Sequence, residues 1–217
     1  MTANQKTIAI IDYGMGNLRS VANALSYINC PGFITNNPED LSQANHIILP
    51  GVGAFGDAME NLQSRGWVKA LEAEVREKGK PFLGICLGMQ LLATTGTEHG
   101  VHKGLDWIPG TVVRLQSSNA GNIRIPHIGW NDVNFTKPNK LFAGLNDSQI
   151  FYFVHSYVLV PNNQGVISGI SHYGAEFVSS IELGNIYATQ FHPEKSQKVG
   201  LEVLKNFVNL SICSKTA

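Results

Sequence analysis

Two hydrophobic patterns alternate in the first half of the chain. Ile8–Ile11 is an apolar run of the kind that forms a buried strand, and residues 46–49 and 82–85 repeat it. Residues 18–28 and 68–75 instead carry apolar side chains three and four positions apart, which is typical of one face of a helix. Strands that alternate with helices over short connections form a parallel sheet covered on both faces. The alternation therefore predicts an α/β fold.

The second half of the chain has a different pattern. Short apolar runs separated by Asn, Gly and Pro predict hairpin-linked strands, followed by a final helix with an apolar face around Leu204. The predicted strands are residues 150–160, 166–170, 176–182 and 186–191. The sequence shows no repeat, low-complexity tract or linker. We therefore expect residues 1–217 to form a single α/β domain with a mixed, mostly parallel sheet flanked by helices.

Composition argues against several kinds of partner. The 16 Lys and Arg residues balance 16 Asp and Glu residues, which disfavours binding to nucleic acid or to an anionic membrane. No apolar run reaches the roughly 20 residues of a membrane span, and the first residues do not resemble a secretory signal. Cys30, Cys86 and Cys213 are too few and too widely spaced for a disulfide framework or a zinc site. We expect a cytoplasmic protein with no metal or cofactor.

The pentapeptide Gly84-Ile85-Cys86-Leu87-Gly88 lies where the third predicted strand meets a helix predicted over residues 87–94. It matches the G-x-nucleophile-x-G elbow, with Cys as the nucleophile. The two glycines leave room for a sharp turn that lifts the thiol out of the sheet, and the start of a helix favours the thiolate. Free cysteines are also among the most buried residues, so a structural role for Cys86 remains an alternative.

A base for this thiol is found in the segment Gln190-Phe191-His192-Pro193-Glu194. Residues two apart in an extended segment project to the same side, and Pro193 favours extended geometry at His192. Glu194 can then orient the His192 ring while the ring accepts the Cys86 proton, as in a catalytic triad. The alternative is an ordinary strand-end histidine beside a surface glutamate. The elbow and this segment together favour the triad.

A glycine-rich loop over residues 51–56 matches the dinucleotide fingerprint G-x-G-x-x-G. The acidic residue that this motif requires about 20 positions later falls on Glu72 or Glu74, inside a helical pattern, so the nucleotide interpretation is weak. The loop could instead supply an oxyanion donor. The candidate donors are the amides of Gly51, Val52, Gly53 and Leu87. His99 and His102 lack further ligands nearby, which favours a polar loop over a metal site.

These motifs resemble those of the class I (triad) glutamine amidotransferases. The stretches that carry this resemblance are Pro50-Gly51-Val52-Gly53, Gly84-Ile85-Cys86-Leu87-Gly88-Met89-Gln90 and Gln190-Phe191-His192-Pro193-Glu194-Lys195-Ser196. Three more narrow it to the glutaminase subunits that serve histidine biosynthesis. They are Ile11-Asp12-Tyr13-Gly14-Met15-Gly16-Asn17-Leu18, Pro126-His127-Ile128-Gly129-Trp130-Asn131 and Tyr152-Phe153-Val154-His155-Ser156-Tyr157. The resemblance extends from Ile8 to about Leu210.

The resemblance implies the triad Cys86, His192 and Glu194 and assigns two further sets of residues. Those that would hold glutamine are Gln90, Glu98, Ser156 and Tyr157. Those that would face a partner subunit are Asn17, Trp130, Tyr152 and Lys195. The partner of this family is a (β/α)8-barrel cyclase, with which the chain would form a heterodimer.

The implied reaction is hydrolysis of glutamine to glutamate and ammonia through a thioester on Cys86. The ammonia would pass to the cyclase, which makes imidazole glycerol phosphate. Two alternatives are a paralogous glutaminase that feeds a sugar-modifying synthase and a Cys-dependent hydrolase that acts without a partner. A third is a catalytically silent binding subunit, which the complete triad disfavours. Cys30 and Cys213 are expected to take no part in catalysis.

Overall fold

The computed structural model describes residues 7–116 and 123–211, so Cys213 lies outside the described residues. The strands are β1 Ile8–Ile11, β2 Gly32–Thr35, β3 His46–Gly51, β4 Phe82–Cys86, β5 Ala93–Gly96, β6 His102–Lys103, β7 Ile108–Arg114, β8 His127–Phe135, β9 Ser148–His155, β10 Tyr157–Pro161, β11 Ile167–Tyr173, β12 Ala175–Leu183 and β13 Ile186–Thr189. The α-helices are α1 Leu18–Tyr27, α2 Phe55–Ser64, α3 Trp67–Leu71, α4 Leu87–Gln90 and α5 Gln197–Val208. A π-helix, Glu72–Glu77, continues α3, and short 3-10 turns include Pro193–Lys195.

Nine strands of the described chain form one sheet in the order β2-β1-β3-β4-β13-β12-β11-β8-β9. The strands from β2 to β13 pair parallel, and those from β13 to β9 pair antiparallel. The prediction of a mixed α/β sheet flanked by helices is confirmed. The parallel strands do not predominate, however, since each half of the sheet contains four pairings.

The parallel half is apolar on both faces because helices cover both of them. Along β1, Ile8 and Ile10 belong to the core on the side of α1 and α5. Ala9 and Ile11 belong to the core on the side of α2 and α3. All four side chains are fully buried, which explains why this strand shows no alternation of polar and apolar residues. None of the described helices is long and apolar enough to cross a membrane.

A second sheet, in the order β10-β7-β5-β6, is not predicted as a sheet from the sequence, and among its strands only β10 overlaps a predicted strand. It corrects the helix predicted over residues 87–94, because α4 ends at Gln90 and β5 begins at Ala93. Thr94 and Thr95 are β-branched residues that favour a strand, and β5 pairs with β6 and β7. The chain therefore leaves the elbow through a single helical turn.

The strand predicted over residues 150–160 also divides into two. β9 ends at His155 in the large sheet, and β10 begins at Tyr157 in the second sheet. Ser156 lies at the change of direction between them. This corner brings the second sheet alongside the elbow, and it forms one side of the pocket described below.

Candidate active site

Cys86 occupies the turn between β4 and α4. Its backbone has φ 56° and ψ −107°, a conformation that is strained for a residue with a side chain. Glycines allow the turn to close: a Cβ at Gly84 would lie 2.6 Å from the Gly88 carbonyl oxygen, and a Cβ at Gly88 would collide with the Leu49 carbonyl. The local geometry is therefore that of a nucleophile elbow.

The Cys86 side chain is buried, with only 6% of the residue exposed. Its Sγ atom lies 3.8 Å from the Val154 carbonyl oxygen, and the Gln190 amide donates to Sγ from 3.6 Å. Gln190 was not singled out from the sequence, although it stands only two positions before His192 and in the same motif.

His192 and Glu194 form a close buried pair. His192 Nδ1 lies 2.7 Å from Glu194 Oε1, and both side chains are almost inaccessible to solvent. His192 ends an extended segment, but Glu194 lies in the 3-10 turn Pro193–Lys195 rather than in the extended segment assumed from the sequence. The 3-10 turn still brings the carboxylate to Nδ1 of the ring, so the predicted pairing forms without an extended segment at Glu194.

The second ring nitrogen of this histidine is available for chemistry. His192 Nε2 is buried and makes no hydrogen bond with the rest of the described chain. Burial alone would lower the pKa of His192, but the thiolate of Cys86 and the carboxylate of Glu194 outweigh burial and raise the pKa to about 10. The raised pKa of His192 favours a protonated ring beside the Cys86 sulfur.

A pocket of about 250 Å³ opens above the Cys86 thiol. Its walls are Val52, Gly53, Cys86, Leu87, Gln90, Glu98, Pro126, Val154, His155, Ser156 and Tyr157. All four residues expected to hold glutamine are in this set. The structure thus brings the predicted nucleophile and the predicted binding residues around one cavity of small-molecule size.

The four predicted binding residues contribute in different ways. Glu98 Oε2 accepts a hydrogen bond of 2.9 Å from the Phe55 amide and so ties the pocket to the start of α2. The Gln90 amide donates both to the Tyr157 carbonyl at 2.9 Å and to Gln190 Oε1 at 3.0 Å. Gln90 therefore braces the pocket wall with its nitrogen, and Ser156 lines the corner between the two sheets.

Three of the four candidate oxyanion donors, Val52, Gly53 and Leu87, line the same cavity, and Gly51 directly precedes Val52. Leu87 begins α4, and no side chain caps this helix, so no side chain competes for its first amides. Gly53 has φ +112°, a conformation that favours glycine, and Gly51 packs directly under the Tyr13 hydroxyl. That hydroxyl is buried without a hydrogen-bond partner in the described chain, and burial and the charge of Cys86 raise its pKa. The Tyr13 hydroxyl is thus a neutral group beside the predicted oxyanion loop. From the sequence alone, Tyr13 is not identified as part of the site.

Three of the four residues expected to face a partner lie together on the surface. Trp130 is 48% exposed, and its ring packs edge-on against Tyr152 with centroids 5.9 Å apart. Lys195 Nζ lies 5.8 Å from the centroid of the Tyr152 ring. The Tyr152 carbonyl in turn accepts the His192 amide at 2.9 Å. Asn17 is also exposed, but its side chain caps α1 by accepting from the Ser20 amide.

Comparison with known proteins places this geometry in a family. The family model of class-I glutamine amidotransferases matches residues 9–210. The imidazole glycerol phosphate synthase subunit HisH of Moorella thermoacetica is 53% identical over 205 residues, covering 94% of this chain and 95% of that protein. The subunit of the same name from Aquifex aeolicus is 50% identical, covering 91% and 94% of the two chains.

Solved structures show the same fold at much lower identity. The structure of PurLQS from Thermotoga maritima superimposes with a TM-score of 0.70 at 19% identity, covering 94% of this chain and 98% of that one. A glutamine amidotransferase from the same organism gives a TM-score of 0.63, also at 19% identity, covering 95% and 82%. Together with the motifs around Cys86 and His192, these matches show that the chain belongs to the class-I glutamine amidotransferases, in the family of the imidazole glycerol phosphate synthase subunit HisH.

Proposed function

We propose that this chain hydrolyses glutamine at Cys86 and delivers the ammonia to a (β/α)8-barrel cyclase subunit that makes imidazole glycerol phosphate. The observation that carries the proposal is the buried pair of His192 and Glu194, 2.7 Å apart, whose imidazole ring interacts with Cys86 in the wall of the pocket. The names of the relatives support the choice of the histidine-pathway partner over a sugar-modifying synthase.

The proposed first step forms a thioester. The Cys86 thiolate attacks the side-chain amide carbon of glutamine, and the resulting oxyanion accepts hydrogen bonds from the Leu87 amide and from the loop Gly51, Val52 and Gly53. Each such donor is worth about 2.7–4 kcal/mol in a buried site. The protonated His192 gives its proton to the departing ammonia, which leaves His192 neutral.

The proposed second step releases glutamate. Neutral His192 takes a proton from a water molecule, which attacks the thioester carbon and breaks its bond to Cys86 Sγ. Glu194 holds the ring in one orientation through both steps because it accepts the Nδ1–H hydrogen bond. Ammonia released into bulk water would be protonated and lost, so the partner has to receive it directly.

The proposed docking face for the cyclase is the cluster of Trp130, Tyr152 and Lys195, with Asn17 as a further contact. Exposed aromatic side chains are enriched at protein interfaces. The Tyr152 backbone also holds the His192 backbone, so the face is directly continuous with the catalytic pair. We expect glutaminase activity to be low in the isolated chain and to rise when the cyclase is bound together with its own ligand.

Replacement of the thiol tests the proposal. Cys86→Ala should abolish glutamine-dependent synthesis by the complex of this chain with the cyclase, while synthesis from added ammonium salt persists. The matched control is Cys30→Ala, since Cys30 is a free, half-buried cysteine outside the pocket. Normal glutamine turnover by the Cys86→Ala complex would contradict the mechanism. Full glutaminase activity of the isolated wild-type chain would favour a hydrolase that acts without a partner.

A further inference from the structure

Two buried histidines that the proposed chemistry does not use lie beside the pocket. His127 in β8 and His155 in β9 are direct partners in the antiparallel register. They are 2% and 5% exposed, and His127 Nδ1 lies 2.9 Å from His155 Nε2. A contact of this length between two ring nitrogens is a hydrogen bond, and one ring has to donate to the other.

The neighbouring groups determine the direction of that bond. His155 Nδ1 lies 3.1 Å from the Tyr157 carbonyl oxygen, which can only accept, so Nδ1 of His155 carries the proton. Burial lowers the pKa of His155 to about 3 and that of His127 to about 4, so both rings are neutral. Neutral His155 then accepts at Nε2, and His127 donates from Nδ1. His127 Nε2 is left as an acceptor, and the Asn131 amide lies 3.4 Å from it.

The same chain of hydrogen bonds continues to the thiol. The Tyr157 carbonyl that accepts from His155 also accepts from the Gln90 amide at 2.9 Å. Gln90 donates its second amide proton to Gln190 Oε1 at 3.0 Å, and the Gln190 amide donates to Cys86 Sγ at 3.6 Å. Every link from Asn131 to Cys86 thus has a defined donor and acceptor, and a ring that flipped would break the links on both of its sides.

The other end of the chain lies at the proposed docking face. Asn131 follows Trp130 in β8, and successive residues of a strand point to opposite faces. Trp130 projects outward to solvent, whereas Asn131 donates inward to His127 and to the His172 carbonyl, the latter at 2.9 Å. One strand therefore presents a residue of the docking face on one side and the start of the chain of hydrogen bonds on the other.

We propose that His127 and His155 are positioning residues that couple the Trp130 face to the glutamine pocket through this directed chain of hydrogen bonds. Movement of β8 when a partner docks on Trp130 changes the His127–His155 contact, and that contact sets the Tyr157 carbonyl and the Gln90 side chain in the pocket wall. The proposal deepens the function proposed above and depends on it.

The test removes one donor and keeps the packing. His127 stacks on Tyr173 and Phe153, with centroids 4.1 and 5.0 Å away, so His127→Phe keeps an aromatic ring in the stack and removes both ring nitrogens. His127→Asn is the rescue variant, because its amide can place a donor near the position of Nδ1. Tyr173→Phe is the matched control: it keeps the stack and the chain, and removes only a hydroxyl bonded to the Arg124 carbonyl.

Two quantities are measured on glutaminase activity, the KM for glutamine of the isolated chain and the stimulation produced by the cyclase with its ligand. His127→Phe should raise KM roughly tenfold, as expected when a buried acceptor loses its donor, with a smaller change in kcat. The variant should also lower the stimulation of glutaminase activity by the cyclase about fivefold or more. A factor of about five is the lower end of the range usual for coupling between two sites. His127→Asn should restore most of both quantities, and Tyr173→Phe should leave both unchanged.

Wild-type values of either quantity in a folded His127→Phe protein would overturn the proposal, as would equal defects in His127→Phe and His127→Asn. If His127→Phe does not fold, Asn131→Leu breaks the first link outside the pocket and should lower the stimulation in the same direction; unchanged stimulation would again overturn it. Ring ¹⁵N chemical shifts at pH 7 provide a separate readout, since both histidines should carry their proton on Nδ1. A wild-type complex that fails to use glutamine would instead contradict the proposed function itself.

Discussion

His192 Nδ1 lies 2.7 Å from Glu194 Oε1, while Nε2 of the same ring has no hydrogen-bond partner in the described chain. Nδ1 therefore holds the ring in one orientation through Glu194, and Nε2 is left to transfer protons. This division of labour makes the carboxylate testable separately from the thiol.

Glu194→Gln should lower kcat of the complex by about 10²–10⁴-fold, the usual contribution of a positioned acid–base group, with a smaller change in the KM for glutamine. The amide cannot stabilise the imidazolium by charge, and it can present an N–H to Nδ1 in place of an acceptor. Steady-state glutaminase kinetics provide the measurement. A variant with unchanged kcat would show that the 2.7 Å contact is only structural.

His192→Asn should slow alkylation of Cys86 by iodoacetamide at pH 7. Without the neighbouring imidazolium, the rate should fall to roughly a few per cent of the wild-type value, the thiolate fraction of an ordinary cysteine at that pH. Peptide mass spectrometry follows the modified cysteine, and the rate at Cys30 in the same samples is the internal control. Equal rates at Cys86 in the two proteins would show that His192 does not activate the thiol.

Gly88→Ala should destabilise the protein by about 3 kcal/mol through overpacking, because the new Cβ would collide with the Leu49 carbonyl. Gly165→Ala is the control, since the nearest atom to its Cβ would be an Asn163 side-chain oxygen at 3.0 Å on an exposed turn. That variant should stay within about 1 kcal/mol of the wild type. Urea denaturation measures both, and equal losses would mean that the elbow is not tightly packed.

Acidification should destabilise the fold through His127 and His155. Burial lowers their pKa from 6.5 to about 4 and about 3, so the unfolded chain binds protons below pH 6.5 that the folded chain does not. Stability is therefore complete above pH 6.5 and falls on acidification towards the folded-state pKa values. The slope approaches about 1.4 kcal/mol per pH unit for each ring. Unfolding free energies at pH 7 and pH 5 should differ less in His127→Phe than in the wild type; the same difference in both would contradict the neutral pair.

Trp130→Ala should weaken binding to the cyclase by about 2 kcal/mol or more, as expected for an exposed aromatic residue at the centre of an interface. Ile34→Ala is the matched control. Ile34 is 43% exposed, similar to the 48% of Trp130, but it lies on the edge strand β2, far from β8 in the sheet. Isothermal titration calorimetry with the cyclase subunit compares the two. An unchanged affinity for Trp130→Ala would move the docking face elsewhere.

Much of the parallel half of the fold follows directly from the sequence. Ile8–Ile11 and residues 47–49 are apolar at every position because helices cover both faces of the sheet, and such runs are easily recognised. β8 is different, since its outer face is exposed and Gly129, Asn131 and Asn134 interrupt its apolar pattern. Its position is set by pairing with β9 and β11, which are distant in the chain. The local sequence of β8 does not predict these partners.

The candidate site divides in the same way. The elbow at Cys86 and the pair of His192 and Glu194 can be found from the sequence, because steric and hydrogen-bonding requirements act over a few residues. The contacts of Gln190 with Cys86 and of His127 with His155 join positions 104 and 28 residues apart. Such contacts depend on which strands become neighbours, so only the folded chain reveals them.

β13 is the last strand of the described residues, yet it lies between β4 and β12 in the middle of the large sheet. The elbow is synthesised early, but Gln190, His192 and Glu194 follow β13 and are more than 100 residues further along the chain. A ribosome-bound or prematurely terminated chain therefore carries the thiol without its base. A fragment that ends before β13 lacks both the base and the strand that joins β4 to β12, so it cannot carry out the proposed hydrolysis.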